Sequence, residues 1–177
     1  MALTVGAGVT VNAVFALGEE FEWRGYLLWE LAPLGFWRAS VAIGFLRGVW
    51  HAPVILDGYN YPSFPLVGVA AMTAATVAFS PLYTYFVLRA RSVLAAGFFH
   101  GVFNAAGGTL LVYTDATDSV LGELVANPVG LAGIAAFVLS TASLVAVGTP
   151  SLSRAELTGE TRRPRKSEAS EEDEIET

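Results

Sequence analysis

The stretch from Phe64 to Leu88 reads FPLVGVAAMTAATVAFSPLYTYFVL and carries no charged side chain. A run of this length can cross the hydrocarbon core of a bilayer as a helix, which takes about 20 residues. Together with four similar runs it gives five candidate membrane segments: Ala2–Gly18, Phe36–Leu56, Phe64–Leu88, Val93–Tyr113 and Pro128–Val147. None shows the charged outer face of a helix in a soluble bundle. The sequence therefore predicts an all-α, polytopic transmembrane helix bundle of about five segments, enclosing a polar cavity.

Basic residues alternate between the connections of this bundle. Arg and Lys occur in the first and third connections and after the last run, whereas Asp57–Ser63 and Thr114–Asn127 contain neither. Loops rich in Lys and Arg stay in the cytoplasm. The pattern predicts a multi-pass protein of the cell membrane with its C-terminal tail in the cytoplasm.

The last part of the chain differs in composition from the rest. Residues 151–177 hold few large apolar side chains, a basic patch at Arg162–Lys166 and an acidic run at Glu168–Glu176. Such a composition is typical of disordered segments. We therefore expect a membrane-embedded domain over residues 1–150 and a disordered, charged tail over residues 151–177.

A group of charged residues follows the first apolar run. Ionised side chains at membrane depth each cost on the order of 3 kcal/mol, so they are expected to pair or to face a wet cavity. Glu20 and Arg24 are four residues apart, a spacing that lets them pair on a helix. We interpret Glu22 and Glu30 as interfacial residues, and Glu19 and Glu20 as members of an interior site.

The chain has two histidines, and each lies on an apolar helix beside a glycine pair. Gly97, His100, Gly101 and Asn104 share one helical face, and Gly44, Arg47, Gly48 and His51 share another. Small residues spaced in this way let helices approach closely in lipid. We expect the two glycine faces to bring the imidazoles together. Pro53 also predicts that the helix ends or kinks near His51.

From the residue types alone, three functions stay open. One is a metal site with an open position for water. A second is metal-free water activation with oxyanion stabilisation. A third is an ion or proton pathway. The HExxH spacing of zinc-peptidase helices does not occur, and the chain has no cysteine, so neither a thiol nucleophile nor a Cys-type zinc site is available.

Three short motifs resemble those of a known family. GEEFEWRGYL at residues 18–27 resembles the EExxxR motif of the CPBP intramembrane proteases, which include type II CAAX prenyl endopeptidases and bacteriocin-processing, Abi-type relatives. WHAP at residues 50–53 and HGVFN at residues 100–104 resemble the second and third motifs. The order matches, and the combination is far more specific than any one motif.

The resemblance implies an intramembrane endopeptidase whose helices surround a cavity open to water. By motif, Glu19 would activate water with His51, while His100 and Asn104 would stabilise the oxyanion. The alternatives are a non-catalytic membrane chaperone or immunity protein of the same fold, and a transporter or proton-relay protein.

The same resemblance assigns Glu20 and Arg24 to order the site. The family is often called metalloprotease, so zinc is an expected cofactor in one version of the mechanism, whereas the glutamate mechanism needs none. If zinc binds, its ligands would be Glu19, His51 and His100.

The chain departs from the family pattern in two respects. The second motif is commonly FxxxH, but position 47 is Arg. Arg47 is expected either to face inward and pair with a carboxylate or a substrate C-terminus, or to lie near the cytoplasmic face. The family pattern also leads us to expect further helices before the first motif.

The expected partners are the lipid bilayer and a peptide or membrane-protein substrate, which in this family can carry a prenylated C-terminal motif. No nucleic-acid partner is expected.

Overall fold

The apolar runs form helices because the hydrocarbon layer offers no water to backbone N–H and C=O groups. The structure, a computed structural model, describes residues 2–113 and 118–158, and this part of the chain is all-α. Its α-helices are α1 Ala2–Ala7, α2 Ala13–Glu20, α3 Leu27–Leu31, α4 Phe36–Trp50, α5 Ala52–Leu56, α6 Pro65–Ala90, α7 Val93–Tyr113, α8 Leu131–Val147 and α9 Arg154–Thr158. Wider π-helical turns occur at Gly8–Asn12, Phe21–Tyr26 and Val120–Ala126, and a 3₁₀ turn at Ala32–Leu34.

Three of the described helices are long and apolar enough to cross a membrane: Phe36–Leu56, Pro65–Ala90 and Val120–Val147. Val93–Gly108 is a shorter apolar helix, and the first predicted segment is divided by the π-helical turn at Gly8–Asn12. Large apolar side chains such as Leu66 and Leu139 are exposed on the outside of the bundle. The all-α membrane bundle predicted from sequence is thus confirmed, with an approximate number of spans.

The glycine pairs of α4 and α7 allow close helix contacts. A Cβ at Gly44 would lie 2.7 Å from Val77 Cα, and one at Gly48 would lie 2.5 Å from Thr73 Cα, so α4 packs on α6. Gly97 and Gly101 face Leu17 and Ala13 of α2. Each glycine face thus packs on a different neighbour, α6 for the face of α4 and α2 for the face of α7.

The segment after α8 packs against the start of the bundle. Leu152 is buried in the main core cluster, and Arg154 contacts Glu30 (Nη2–Oε2, 3.0 Å) and donates to the Trp29 carbonyl oxygen. Residues 151–158, which the composition assigns to the tail, therefore include a short docked helix. The predicted disorder of the remaining tail, residues 159–177, lies outside the described residues.

Gly48→Ala is expected to destabilise the fold by about 1–3 kcal/mol, because its methyl group would overpack the contact with Thr73. The matched control is Gly6→Ala, where no atom of the described residues outside its own helix turn lies within 4 Å of the added Cβ. Ala is the better helix former by up to about 1 kcal/mol, so the control should gain stability. Unfolding in detergent, followed by tryptophan fluorescence, measures both. Equal or greater stability of Gly48→Ala would contradict the packing.

Candidate active site

Charged side chains from three parts of the chain meet inside the bundle. Glu19 and Glu20 end α2, Arg24 lies in the π-helical turn that follows, and Arg47 lies in the last turn of α4. We call these four residues the ion cluster. His100 of α7 lies beside it. The wider turn directly after Glu20 is a local feature that often occurs at functional sites.

Arg47 occupies the centre of the ion cluster. Its side chain is 2% exposed, its Nη1 donates to Glu20 Oε1 at 2.8 Å, and its Nη2 donates to Glu19 Oε2 at 2.9 Å. Such charge-assisted bonds are among the stronger protein hydrogen bonds. In the described fold, Arg47 faces inward and pairs with carboxylates.

Glu20 is fully enclosed, as is the side chain of Arg24. Glu20 Oε1 also lies 3.1 Å from His100 Nδ1. Its Oε2 lies 3.7 Å from Arg24 Nε, which is an ion-pair distance but longer than a hydrogen bond. The two carboxylates and two guanidiniums sum to zero charge. This balance allows them to be buried, since an uncompensated buried charge would be strongly destabilising.

Arg24 is held by residues that the sequence motifs do not include. Its Nη2 donates to Ser80 Oγ at 3.0 Å, and its guanidinium lies 4.9 Å from the centre of the Tyr83 ring. Thr84, one turn beyond Ser80, accepts a hydrogen bond from Ser40 at 2.9 Å. The signal that predicts this lining is the spacing of Thr76, Ser80 and Thr84, which places one polar stripe on the otherwise apolar α6.

The contacts of His100 favour one neutral tautomer. Glu20 Oε1 accepts only, so Nδ1 carries the proton and donates to it. Nε2 can then accept from Arg47 Nη2, at 3.1 Å. Both ring nitrogens of His100 are therefore engaged within the cluster.

His51 lies at the junction of α4 and α5. A helix end at this position is the one predicted from Pro53. Its Nδ1 donates to the carbonyl oxygen of Arg47 at 2.7 Å, which leaves Nε2 of the neutral ring as an acceptor. The Trp50 ring packs edge-on against the imidazole. Within residues 2–113 and 118–158, His51 makes no ion pair with a carboxylate.

A small cavity joins the two histidines. It has a volume of about 70 Å³, and its lining includes Arg47, His51, Thr76, His100 and Asn104. A volume of this size holds a few water molecules. Asn104 is exposed and makes no hydrogen bond within the described residues, so its carboxamide is available.

The two adjacent glutamates have different surroundings. Glu19 is 34% exposed and contacts Arg47, whereas Glu20 is fully enclosed. Glu19 does not line the cavity itself and is connected to it through Arg47. Glu22 is exposed, and the exposed Glu30 pairs with Arg154.

The arrangement does not fit a three-ligand metal centre. Within the described residues, no group of three His, Asp or Glu side chains is placed to hold a metal ion. The Arg47 guanidinium contacts both Glu19 and His100, two of the three expected zinc ligands, and a cation there disfavours a second cation.

Arg47→Met is expected to lower the free energy of unfolding by about 3–5 kcal/mol, because it leaves the buried Glu20 without its closest partner. The control Arg89→Met removes an exposed cation that contacts only Tyr85 among the described residues and should cost less than about 1 kcal/mol. Adding Glu20→Gln to Arg47→Met should recover part of the loss. Denaturant unfolding in detergent measures all three, and a loss no larger than that of Arg89→Met would contradict the central role of Arg47.

Comparison with known proteins assigns the sequence of this region to a family. Residues 2–106 match the family model described as type II CAAX prenyl endopeptidase Rce1-like. No curated protein and no solved structure is similar enough to match the chain. The matched region covers more than half of the 177 residues and contains the ion cluster, both histidines and Asn104. The chain therefore belongs to the Rce1-like type II CAAX prenyl endopeptidase family.

Proposed function

We propose that this protein is an intramembrane endopeptidase in which Glu19 activates the water that attacks the peptide bond. Membership of the Rce1-like family supports a CAAX-protease-like endopeptidase in general. The observation that carries the residue assignment is the difference between the paired glutamates. Glu20 is enclosed among Arg24, Arg47 and His100, whereas the 34% exposed Glu19 can be reached by water.

Glu19 acts as the general base. Its Oε2 accepts a hydrogen bond from Arg47 Nη2 at 2.9 Å, which orients the carboxylate as the acceptor of a proton from water. We place the attacking water on the exposed side of this carboxylate. His51 assists through Nε2, because its Nδ1 proton is held by the Arg47 carbonyl oxygen.

Asn104 and His100 stabilise the oxyanion of the tetrahedral intermediate. They lie one helical turn apart on α7, and both line the cavity of about 70 Å³. The carboxamide of Asn104 has free N–H donors. The N–H of His100 is engaged with Glu20, so it has to leave Glu20 Oε1 before it can donate to the substrate oxygen. Glu20 and Arg24 act as positioning residues by fixing Arg47 and His100.

Water is favoured as the nucleophile over a side-chain hydroxyl. Thr76 lines the cavity, but its hydroxyl contacts the carbonyl oxygens of Met72 and Thr73 at 2.9 Å. Ser80 accepts from Arg24. Within the described residues, neither hydroxyl is paired with a histidine or carboxylate that could remove its proton.

We assign a peptide or membrane-protein segment as the substrate, with a prenylated C-terminal motif as one class to be tested.

Glu19→Gln should lower kcat by about 10²–10⁴-fold, the contribution typical of a general base. Asn104→Ala should lower it by about 10²–10³-fold, as for other oxyanion donors. The assay is cleavage of labelled membrane peptides, with and without a prenyl group, by purified protein in detergent.

Glu22→Gln is the matched control, since it removes an exposed carboxylate three residues from Glu19 and should leave kcat unchanged. Wild-type rates in a strong chelator separate the two mechanisms: retained cleavage supports the glutamate mechanism, and loss that zinc restores supports a metal. Full activity in both Glu19→Gln and Asn104→Ala would refute the assignment of the site.

We also propose that the protein crosses the membrane several times, with its C-terminal segment in the cytoplasm. The absence of cysteine makes single-cysteine labelling possible on an otherwise unchanged chain. In intact cells, an impermeant maleimide should label Asp57→Cys, in a connection without basic residues, but not Ala90→Cys, beside Arg89 and Arg91. Both positions are exposed, and Ala90→Cys should react after lysis. The reverse pattern would invert the orientation.

A further inference from the structure

Two adjoining cavities lie where α6 ends and α7 begins, and we propose that they bind the phosphate group of an anionic ligand. Their volumes are about 180 Å³ and about 380 Å³, and Arg91 and Glu156 line both. The larger cavity alone reaches the usual size of ligand pockets, roughly 300–1,000 Å³. The smaller one shares no lining residue with the cavity between the histidines. We call the two together the phosphate pocket, whose charged lining residues are Arg24, Arg89, Arg91 and Glu156.

The phosphate pocket has an excess of positive charge. The guanidinium of Arg91 makes no hydrogen bond or ion pair within the described residues, and Arg89 contacts only Tyr85 there. Glu156 is the one acidic side chain among the described lining residues. It accepts a hydrogen bond from Ser151 Oγ at 3.1 Å and pairs with neither arginine. The pocket thus offers guanidinium donors without a counter-charge, and their planar fork suits phosphate oxygens.

The buried Arg24 also lacks hydrogen-bond partners. This residue is 1% exposed and lines the smaller cavity. Its Nη2 donates to Ser80, but its Nε and Nη1 make no hydrogen bond within the described residues. Buried donors are usually paired, since an unmade hydrogen bond is costly. An anion in the smaller cavity would provide the acceptor that this guanidinium lacks.

The start of α7 borders the same space. Ser92 and Val93 line the smaller cavity, and α7 runs from Val93 to Tyr113. The first N–H groups of a helix have no carbonyl partner within it, and the helix dipole favours an anion at this end. Ser92 Oγ accepts a hydrogen bond from Leu94 N at 3.2 Å and so caps one of these groups. The helix end therefore adds to the attraction exerted by the arginines.

The position of the phosphate pocket favours a lipid headgroup over a free phosphate ion as the source of this group. α6 is long and apolar enough to cross a membrane, so its end at Ala90 lies near the edge of the hydrocarbon layer. Trp29, a residue type enriched at membrane interfaces, lines the smaller cavity. Val87, Val93 and Leu157 give the same cavity an apolar surface for the glycerol and acyl chains. The proposed orientation places this end in the cytoplasm, where basic pockets between membrane helices bind anionic headgroups.

The probe is dihexanoyl phosphatidylglycerol, which is titrated into the full chain in an uncharged detergent. Tryptophan fluorescence reports binding, because Trp29 lines the pocket. Arg91→Gln should raise the Kd at least about tenfold, since it removes charge-assisted bonds to the phosphate. The matched control Arg38→Gln removes an exposed arginine that does not line the pocket and should change the Kd less than about twofold.

Glu156→Gln tests the same pocket in the opposite direction. It removes a negative charge from the lining and keeps an oxygen that can accept from Ser151. The Kd for the lipid should therefore fall by about two- to fivefold. A gain of affinity does not arise from a misfolded chain, so this variant keeps the inference testable if Arg91→Gln fails to fold.

Inorganic phosphate and dihexanoylglycerol, which lacks a phosphate group, separate the possible sources of binding. Binding of the phospholipid but not of inorganic phosphate would assign the pocket to a headgroup. Equally tight binding of inorganic phosphate, weakened by Arg91→Gln, would assign it to a free anion. No saturable binding of either phosphate compound, equal binding of dihexanoylglycerol, or equal effects of Arg91→Gln and Arg38→Gln would overturn the inference. None of these outcomes depends on peptide cleavage, so failure of the proposed peptidase would leave the pocket in place.

Discussion

The contacts of the Arg47 guanidinium with two carboxylates are the interaction on which the rest of the structure depends. Glu20 at 2.8 Å and Glu19 at 2.9 Å come from α2, whereas Arg47 comes from α4. Each of these helices alone would bring a costly charge to membrane depth. Arg24, Arg47 and the two glutamates together form a neutral group. The charges of one helix therefore offset the cost of placing the charges of the other in the membrane. The apolar contacts of the bundle hold this group in place, and the group in turn fixes the relative rotation of α2 and α4.

Much of this arrangement could be predicted from the sequence. The apolar runs indicate a membrane bundle, because a soluble bundle of this size would need charged outer faces that these runs lack. The i, i+4 spacing of Glu20 and Arg24 predicts a pair that the structure places 3.7 Å apart. His100 and Asn104 share one face for the same periodic reason, and Pro53 predicts the end of α4 beside His51.

The parts of the site that the sequence did not predict depend on which helices become neighbours. The spacing of residues along one helix does not identify the helix that packs against it. The glycines of α4 and α7 indicate close packing but do not identify the partner, which is α6 for one and α2 for the other. Arg47 has two expected environments, since a long cationic side chain can either pair inside or extend to an interface. Ser80 and Tyr83 become site residues only because α6 lies against Arg24. Adjacent positions such as Glu19 and Glu20 differ by about 100° around a helix, so one can be enclosed while the other is exposed.

The order of the ion cluster along the chain has a consequence for biogenesis. During synthesis the two carboxylates and Arg24 leave the ribosome before Arg47, which follows Glu20 by 27 positions. α4 therefore enters the bilayer with an arginine whose counter-charges are already present in the preceding segment. Lateral release of α4 from the insertion machinery as a separate span would expose that charge to lipid, at a cost of about 2.5–3.5 kcal/mol on insertion scales. The sequence thus favours insertion of α4 together with the segment that carries Glu19 and Glu20, so that the neutral cluster assembles before Arg47 meets the acyl chains.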